Sequence, residues 1–361
     1  MRKKITSEGK LGFDKWLVLL AFLLTIFGVV MVYDASVVSA FETFGDKFHF
    51  VKQQVMWAGV GWVVLVIVAL FPIDKLKKLS VVAWIVILAL LLAVLIPGVG
   101  TKVMGARRWI FLGGVNFQPA ELAKLVFVVY LSALFEKRKD IVPFLLNLVV
   151  FCGLIVLEPD LGTAVIIGTT ALAMFFVAGG SLLYFAGLVP AVGLGGLVTI
   201  MLSPYRLVRL KTFFNLSEDP LGSSYHVRQV LLTLGSGGLL GVGLGSSRQK
   251  YAYLPEATTD SIFAVIAEEL GFLGALALIG IFAWLFLRGF RVAERAKSDF
   301  TRNLAVGLTL FLAVQTLVNL AAMVALVPLT GVPLPFISYG GSALVVELAA
   351  VGLLVNVSRE K

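Results

Sequence analysis

The 361-residue chain has few charged residues, one cysteine and two histidines. Charged residues make up 14% of the chain, against roughly a quarter in a soluble domain, and 59% of the residues are hydrophobic. The surplus of apolar residues must face lipid, which excludes a soluble domain. The single cysteine, Cys152, excludes a disulfide framework and a cysteine-based metal site. His49 and His226 lie far apart in sequence, which argues against a histidine-rich metal site.

Ten apolar segments are each close to the ~20 residues that a helix needs to cross a bilayer. The first resembles a signal peptide, with a cleavage-like Val38-Ser39-Ala40, but its apolar run exceeds the roughly 7–15 residues of such a peptide. We therefore predict an all-α polytopic membrane protein with a single domain over residues 1–361. The predicted spans are 16–38, 52–71, 79–96, 119–135, 142–157, 161–178, 184–202, 261–287, 303–327 and 341–356.

Lysine and arginine are concentrated on one side of these spans, in the tail 1–15, the loops 72–78, 136–140 and 288–302, and the C-terminus. Such enrichment marks the cytoplasmic side, so both termini are predicted to be cytoplasmic. The segment 203–260, between spans seven and eight, is then a long extracytoplasmic loop, and such loops tend to be functional. It contains a predicted amphipathic helix from Tyr225 to Leu234 and a glycine run at 235–245. We expect that run to be irregular and buried in protein or lining a wet cavity.

The predicted outer side also carries cations, including Arg107 and Arg108 before span four and Arg248 and Lys250 in the long loop. Long translocated segments escape the positive-inside rule, and two arginines before Trp109 also suit an interfacial anchor. Clustered outer cations are nevertheless what an anionic substrate needs, so we predict that all four bind substrate. The net charge of +9 lies in short loops, which indicates topology and lipid head groups rather than nucleic acid.

Asp260 follows two threonines and directly precedes the apolar run of span eight. Two hypotheses fit this position. Aspartate is a favoured N-cap residue, so Asp260 could cap the helix. It could equally be a general base at the membrane surface, with burial raising its pKa and the nearby cations lowering it.

Other acidic residues also fall inside or at the ends of spans. Glu121 and Lys124 share one helix face at i and i+3 and predict an ion pair near the outer end of span four, with a functional or a purely structural role. Glu158-Pro159-Asp160 forms a turn in which we expect Asp160 to cap span six rather than hold a divalent cation. Glu268 and Glu269 point to different sides of span eight and are expected to serve different partners.

Pro333 to Ser342 contains two prolines and a glycine pair, which predict a non-helical, re-entrant-looking turn containing Ser338. It lacks the Gly-x-Ser-x-Gly pattern of a hydrolase elbow. The glycine run at 235–245 lacks the Walker lysine pattern and the spacing of a dinucleotide-binding loop. The chain is therefore not predicted to bind a nucleotide, and an energy-rich substrate would carry its own energy.

Five of these stretches, in order, resemble the SEDS family (shape, elongation, division and sporulation). The resemblance spans nearly the whole chain and rests on Gly105–Ile110, Gln118–Leu125, Glu158–Thr163, Leu254–Asp260 and Pro333–Ser342. Two positions depart from the family pattern: Thr258 replaces a usual histidine, and Ala343 replaces a common small polar residue. The run Ser247–Tyr251 favours the cell-division and sporulation branches, and Pro328–Gly331 suits the elongation branch equally well. We predict that the chain resembles the cell-division branch most, which implies septal wall synthesis.

Membership would imply a membrane glycosyltransferase that polymerises lipid II into peptidoglycan, with a class B penicillin-binding protein and other division proteins as partners. By motif, Asp260 matches the family's essential aspartate. Arg108, Glu121 and Lys124 match polar positions of its cavity, and the turn at Ser338 fits closely, so these residues are predicted to bind substrate. The resemblance fixes no cofactor, and it leaves open a divalent cation (Mg or Mn) that could assist departure of the pyrophosphate. The alternatives are a lipid II flippase, an elongation-type polymerase and a non-catalytic scaffold.

Overall fold

We analysed a computed structural model of the chain, which describes residues 12–103, 106–113, 115–137, 140–215, 224–247 and 254–360. The described part contains twelve α-helices and one small three-stranded sheet. The helices are α1 (Lys15–Phe44), α2 (His49–Leu70), α3 (Ile73–Leu95), α4 (Pro119–Lys137), α5 (Ile141–Leu157), α6 (Leu161–Val177), α7 (Leu182–Met201), α8 (Pro204–Phe214), α9 (Tyr225–Ser236), α10 (Ile262–Arg295), α11 (Asp299–Met323) and α12 (Gly341–Ser358). The strands are β1 (Gly100–Val103), β2 (Ala106–Leu112) and β3 (Val115–Phe117).

Each of the ten predicted spans corresponds to a helix, which confirms the all-α polytopic fold. Seven of these helices, α1, α2, α3, α7, α10, α11 and α12, are long and apolar enough by themselves to cross a membrane. The apolar helices α5 and α6 have 17 residues each, and α4 carries four charged residues within its 19. The predicted end of span nine at residue 327 is wrong, because α11 ends at Met323 and Ala325 has a positive φ of 52°.

The bundle has a buried centre and a lipid-facing periphery. The most apolar 18-residue window of α12 is 83% buried, whereas the corresponding window of α7 is 0% buried. Close packing of α12 on α2 requires Gly352, since a Cβ there would lie 2.6 Å from the carbonyl oxygen of Leu65. Buried polar residues on α4, α11 and α12 lie in this centre, among them Glu121, Lys124 and Glu347.

Two connections that the sequence suggested to be loops contain regular structure. The connection between α3 and α4 forms the antiparallel sheet β1-β2-β3. The segment 203–260 contains α8 and α9, and α9 confirms the predicted amphipathic helix from Tyr225 onward. Residues 237–247 are irregular, as the glycine run predicted.

The glycine-rich loop 237–247 packs across a break in α10 at Gly271. Gly271 has a φ of 69°, and a Cβ on it would lie 2.2 Å from the amide nitrogen of Gly241. The break frees backbone groups of α10 to bond the loop: Val242 N donates to Glu268 O at 3.0 Å, and Phe272 N donates to Gly238 O at 2.9 Å. Backbone of this kind survives near a membrane because its polar groups are paired within the protein.

The side chains of Glu268 and Glu269 hold the same loop, contrary to the expectation that they serve different partners. Glu269 accepts hydrogen bonds from the amides of Gly245 and Ser247, each at 3.1 Å. Glu268 accepts a hydrogen bond from the Ser247 hydroxyl. A helical wheel drawn from α10 alone could not anticipate this, because the loop folds over the break and reaches both side chains.

Candidate functional site

Asp260 lies in a tight turn, Glu256–Asp260, just before α10. We call it the second acidic turn, because a turn with a glutamate and an aspartate, Glu158–Asp160, comes earlier in the chain. The N-cap of α10 is Ser261, and no side-chain cap bond is found at this end of the described helix. The Asp260 carboxylate accepts the Thr259 hydroxyl at 3.2 Å instead. The N-cap hypothesis for Asp260 is therefore wrong, because Ser261 separates the carboxylate from the first helical turn. A carboxylate that does not cap a helix is better suited to act as a general base.

Asp260 is buried, with 7% of its surface exposed. Burial, and next the charge of Glu256, raise its pKa to about 6, while hydrogen bonds and the charge of Arg209 act in the opposite direction. A pKa near 6 leaves the carboxylate largely ionised at neutral pH and basic enough to take up a proton. General bases work best when their pKa lies near the working pH.

A cavity of about 220 Å³ lies between α8, α9 and the residues that follow α11, and its lining residue His226 contacts Ser261, the residue after this turn. Its lining is apolar except for three side chains, and consists of Val208, Arg209, Thr212, Phe213, His226, Val227, Pro328 and Leu329. The Arg209 guanidinium donates to the carbonyl oxygen of Leu329 at 3.0 Å. An apolar pocket with a few converging polar groups is the usual form of a small-molecule site.

Arg209 and His226 were not among the predicted site residues. Nε2 of His226 lies 2.8 Å from the Ser261 hydroxyl, so His226 is anchored one residue from Asp260. Burial and the charge of Arg209 lower the pKa of His226 to about 4, so its imidazole is neutral at physiological pH. The signal available in the sequence was their position on α8 and α9 within the long segment 203–260; their approach to Asp260 depends on how those helices fold back.

Ser338 lies in the turn between α11 and α12 and is 5% exposed. Its hydroxyl donates to the carbonyl oxygen of Thr259 at 2.5 Å and accepts the amide of Leu334 at 2.8 Å. The amide of Tyr339 donates to the carbonyl oxygen of Thr258 at 2.8 Å. The structure thus brings Ser338 against the second acidic turn, and substrate binding by Ser338 stays a prediction.

Glu121 and Lys124 form the predicted ion pair on α4, with Lys124 Nζ 2.8 Å from Glu121 Oε2. The Lys124 ammonium also donates to Gln315 Oε1 at 2.6 Å and lies 5.3 Å from the centre of the Phe311 ring. Both charged side chains are almost fully buried. Their predicted contact with substrate stays a prediction, because the described contacts of Lys124 are all within the bundle.

Arg108 lies on β2 and reaches a turn earlier in the chain, which we call the first acidic turn (Glu158–Asp160). Its guanidinium donates to the carbonyl oxygen of Glu158 at 3.1 Å and to that of Pro159. Arg107 pairs with Lys102 of β1 at a shift in the register of the β1–β2 ladder. Substrate binding by Arg107 and Arg108 stays a prediction.

Asp160 caps α6, as predicted. Its carboxylate accepts the Thr163 amide at 3.1 Å and the Thr163 hydroxyl at 3.0 Å, and Gln118 donates to it at 3.3 Å. Neither carboxylate oxygen of its neighbour Glu158 has a hydrogen-bond partner within the described part of the chain, and Glu158 is fully buried. Burial and the charge of Asp160 raise the pKa of Glu158 to about 8.

Arg248 and Lys250 lie outside the described residues. Among the residues that the structure does describe, no three His, Cys, Asp or Glu side chains come together in a group that could hold a metal ion. The need for a divalent cation therefore stays a prediction.

The described structure defines a class: a polytopic helical membrane protein with a buried carboxylate near a mostly apolar cavity that contains one guanidinium. The family described as cell cycle protein, FtsW/RodA/SpoVE, matches residues 14–361. The chain belongs to this family, which confirms the resemblance inferred from its motifs.

Relatives in several bacteria are similar in sequence to this chain over almost its whole length. The chain is 41% identical over 355 residues to stage V sporulation protein E of Bacillus subtilis, covering 96% of this chain and 97% of that protein. It is 39% identical over 361 residues to the probable peptidoglycan glycosyltransferase FtsW of Trichlorobacter lovleyi, covering 96% and 93%. These similarities support placing the chain in the cell-division and sporulation branches of the family.

Two solved structures share the fold. One belongs to a peptidoglycan synthase complex described for its structural coordination of polymerization and crosslinking. It has a TM-score of 0.80 and 30% identity, covering 97% of this chain and 99% of that one. The other is the rod shape determining protein RodA of Thermus thermophilus, with a TM-score of 0.72 and 28% identity, covering 97% and 98%.

Proposed function

We propose that this chain is a peptidoglycan glycosyltransferase that polymerises lipid II at the outer face of the bacterial cytoplasmic membrane, for septal wall synthesis. One observation carries the proposal: a buried, non-capping carboxylate with a raised pKa, Asp260, beside a cavity that contains a guanidinium. The FtsW relatives are named as probable peptidoglycan glycosyltransferases, which supports the same reaction.

In the proposed reaction, Asp260 takes the proton from the sugar 4-hydroxyl of an acceptor lipid II. That oxygen attacks the anomeric carbon of the donor chain, and the bond from this carbon to undecaprenyl pyrophosphate breaks. The pyrophosphate leaves with the bonding electron pair, so the step requires no nucleotide. Positioned cations stabilise the developing negative charge. Arg108 and Lys124 are the candidates from sequence, and we add Arg209 because it lines the cavity beside Asp260.

We further propose that both termini lie in the cytoplasm and that the two acidic turns face outward. The distribution of loop cations supports this orientation. A class B penicillin-binding protein is the proposed partner, alongside other division proteins and membrane lipids. The similar structure from a synthase complex, in which polymerization is coordinated with crosslinking, supports a partner of this kind. Mg or Mn remains the proposed candidate for an assisting cation.

Lipid II transport is less well supported. It would be favoured if Glu268 and Glu347 lined one polar path. Instead, Glu268 bonds Ser247 of the glycine-rich loop, whereas Glu347 accepts Gln315 at 2.9 Å and the Phe336 amide at 2.7 Å. The two carboxylates thus belong to separate local networks.

The test is lipid II polymerisation by the purified protein in liposomes, with and without candidate class B partners. We expect glycan ladders from the wild type and none from Asp260→Asn. Polymerisation by Asp260→Asn at the wild-type rate would remove Asp260 from the mechanism. Absence of polymer with every partner, together with lipid II translocation in the same liposomes, would replace the proposal with the flippase.

A further inference from the structure

Two amide side chains on α11 lie one helical turn apart and are fully buried beside the candidate site. Gln315 and Asn319 occupy positions i and i+4, which face the same side of a helix. Asn319 Nδ2 donates to the carbonyl oxygen of Asp260 at 2.9 Å and to that of Val332 at 2.8 Å. Gln315 Nε2 donates to the carbonyl oxygen of Pro333 at 3.1 Å. The pair therefore holds two successive carbonyls of the turn before α12 and one carbonyl of the second acidic turn.

The orientation of the Asn319 amide is fixed by these contacts. Both of its neighbours are carbonyl oxygens, which only accept, so the NH₂ group and not the oxygen must face them. One side chain thus ties Asp260 to the turn before α12.

That turn also holds the second acidic turn directly. The Ser338 hydroxyl donates to Thr259 O, and the Tyr339 amide donates to Thr258 O. The carbonyls of Thr258, Thr259 and Asp260 are therefore each held by a donor from α11 or from the turn between α11 and α12. By contrast, the Asp260 carboxylate itself is held by the neighbouring Thr259 hydroxyl at the longer distance of 3.2 Å. The backbone is fixed tightly while the acidic group remains lightly bonded.

Two buried charged residues, Lys124 and Glu347, also connect to the turn before α12. Gln315 links Lys124 to Glu347, accepting from the first at 2.6 Å and donating to the second at 2.9 Å. Glu347 accepts a hydrogen bond from the amide of Phe336. Phe336 has a backbone φ of 64°, which bulky residues rarely adopt. The buried Glu347 thus bonds the backbone at a position of unfavourable φ.

We propose that Asn319 is a positioning residue for the reaction, which acts by fixing the backbone of Asp260 relative to the cavity. This inference rests on the proposed function. A base displaced by about 1 Å can lose about 100-fold in rate, because proton transfer requires hydrogen-bond reach. Asn319 would therefore affect the chemical step more than substrate binding.

The chain offers a matched control in Asn356 on α12. Its Nδ2 also donates to two backbone carbonyl oxygens, those of Val68 at 2.8 Å and Phe71 at 2.6 Å. Those carbonyls lie at the end of α2, away from the second acidic turn. Asn319→Ala and Asn356→Ala therefore remove the same chemical group and the same number of bonds, and only the first removes a bond to Asp260.

The experiment measures kcat and KM for lipid II polymerisation, together with the melting temperature of each full-length variant in detergent. We expect Asn319→Ala to lower kcat about 10- to 100-fold with KM changed less than about 3-fold. We expect Asn356→Ala to keep kcat within about 3-fold at a similar loss of melting temperature. If Asn319→Ala does not fold, Asn319→Leu, which fills the same space without a donor, is measured against Asn356→Leu.

Equal kcat values for the two variants would overturn the positioning role while leaving the polymerase intact. A fall in kcat/KM caused by KM alone would also overturn it, because that pattern indicates lost substrate binding. A wild-type protein that makes no polymer with any partner would instead reject the proposed function, and the inference with it.

Discussion

The two acidic turns have similar sequences and different chemistry. Each contains a glutamate followed by an aspartate that directly precedes an apolar run. In the first, Asp160 accepts both the amide and the hydroxyl of Thr163 and caps α6. In the second, Asp260 is one residue too early to cap α10, whose N-cap is Ser261. The same residue type is thus a structural cap at one turn and a candidate base at the other.

The two glutamates differ as well. Glu158 is fully buried beside Arg108, which donates to its backbone carbonyl. Glu256 is exposed, competes with Asp260 for the single proton of the Thr259 hydroxyl at 2.8 Å, and raises the pKa of Asp260 by its charge. The comparison teaches that the surroundings a carboxylate meets after folding, rather than its position before a helix, decide its role.

The largest expected effect separates the two aspartates. Asp260→Asn should lower polymerisation by about 10²–10⁴-fold, the usual contribution of a general base. Asp160→Asn should keep the rate within a few-fold, because asparagine caps a helix about as well as aspartate. Rates are measured as glycan ladder formation under identical conditions. Asp260→Asn should also melt no lower than the wild type at pH 7.5, since it removes a buried charge. Equal loss of activity in both variants would contradict the assignment of different roles to Asp260 and Asp160.

The second effect concerns Glu158. Its pKa is raised in the folded protein from 4.5 to about 8, so the stability it contributes is present below pH 4.5 and is lost as the pH rises to about 8. Glu158→Gln cannot ionise. The melting temperature of this variant should therefore rise relative to that of the wild type as the pH is raised from 5 to 8. Thermal unfolding in detergent at both pH values tests this. A constant difference between the two proteins would show that Glu158 is not protonated in the fold.

A third, smaller effect is on stability at the cap. Asp160→Ala should cost about 0.5–2 kcal/mol of unfolding free energy, because the Thr163 amide loses its partner. Asp260→Ala removes no cap and should destabilise less. The measurement is the melting temperature of the two variants side by side at pH 7.5. A larger loss for Asp260→Ala would contradict the assignment of the cap to Asp160.

The smallest expected effect tests whether the charge of Glu256 raises the pKa of Asp260. Polymerisation should rise with pH as Asp260 loses its proton, with a midpoint near its pKa of about 6. Glu256→Gln removes a charge that raises this pKa, so the midpoint should move to lower pH by less than about one unit. Rate–pH profiles of the two proteins between pH 5 and 8 show the shift. An unchanged midpoint would mean that a group other than Asp260 controls the acid limb.

Several features followed from the sequence because they depend on local chemistry. The ten apolar segments predicted the spans, since crossing a bilayer sets both length and composition. The i, i+3 spacing predicted the Glu121–Lys124 pair, and the first acidic turn predicted the Asp160 cap. The glycine run predicted an irregular backbone. The sheet before α4 was missed, as was the convergence of Glu268 and Glu269 on one loop, because each depends on segments that meet only after folding.

The sequence by itself determined the membrane fold and the family, and it singled out Asp260 as a candidate, because these depend on composition and on ordered motifs. The tertiary structure decided what each polar side chain does. It placed the charge of Arg209 near Asp260, joined His226 to Ser261, and brought Asn319 to the carbonyl of Asp260 from 59 positions along the chain. The physical reason is that hydrogen bonds and pKa shifts act over a few ångströms, and neighbours at that distance are chosen by packing rather than by order in the sequence.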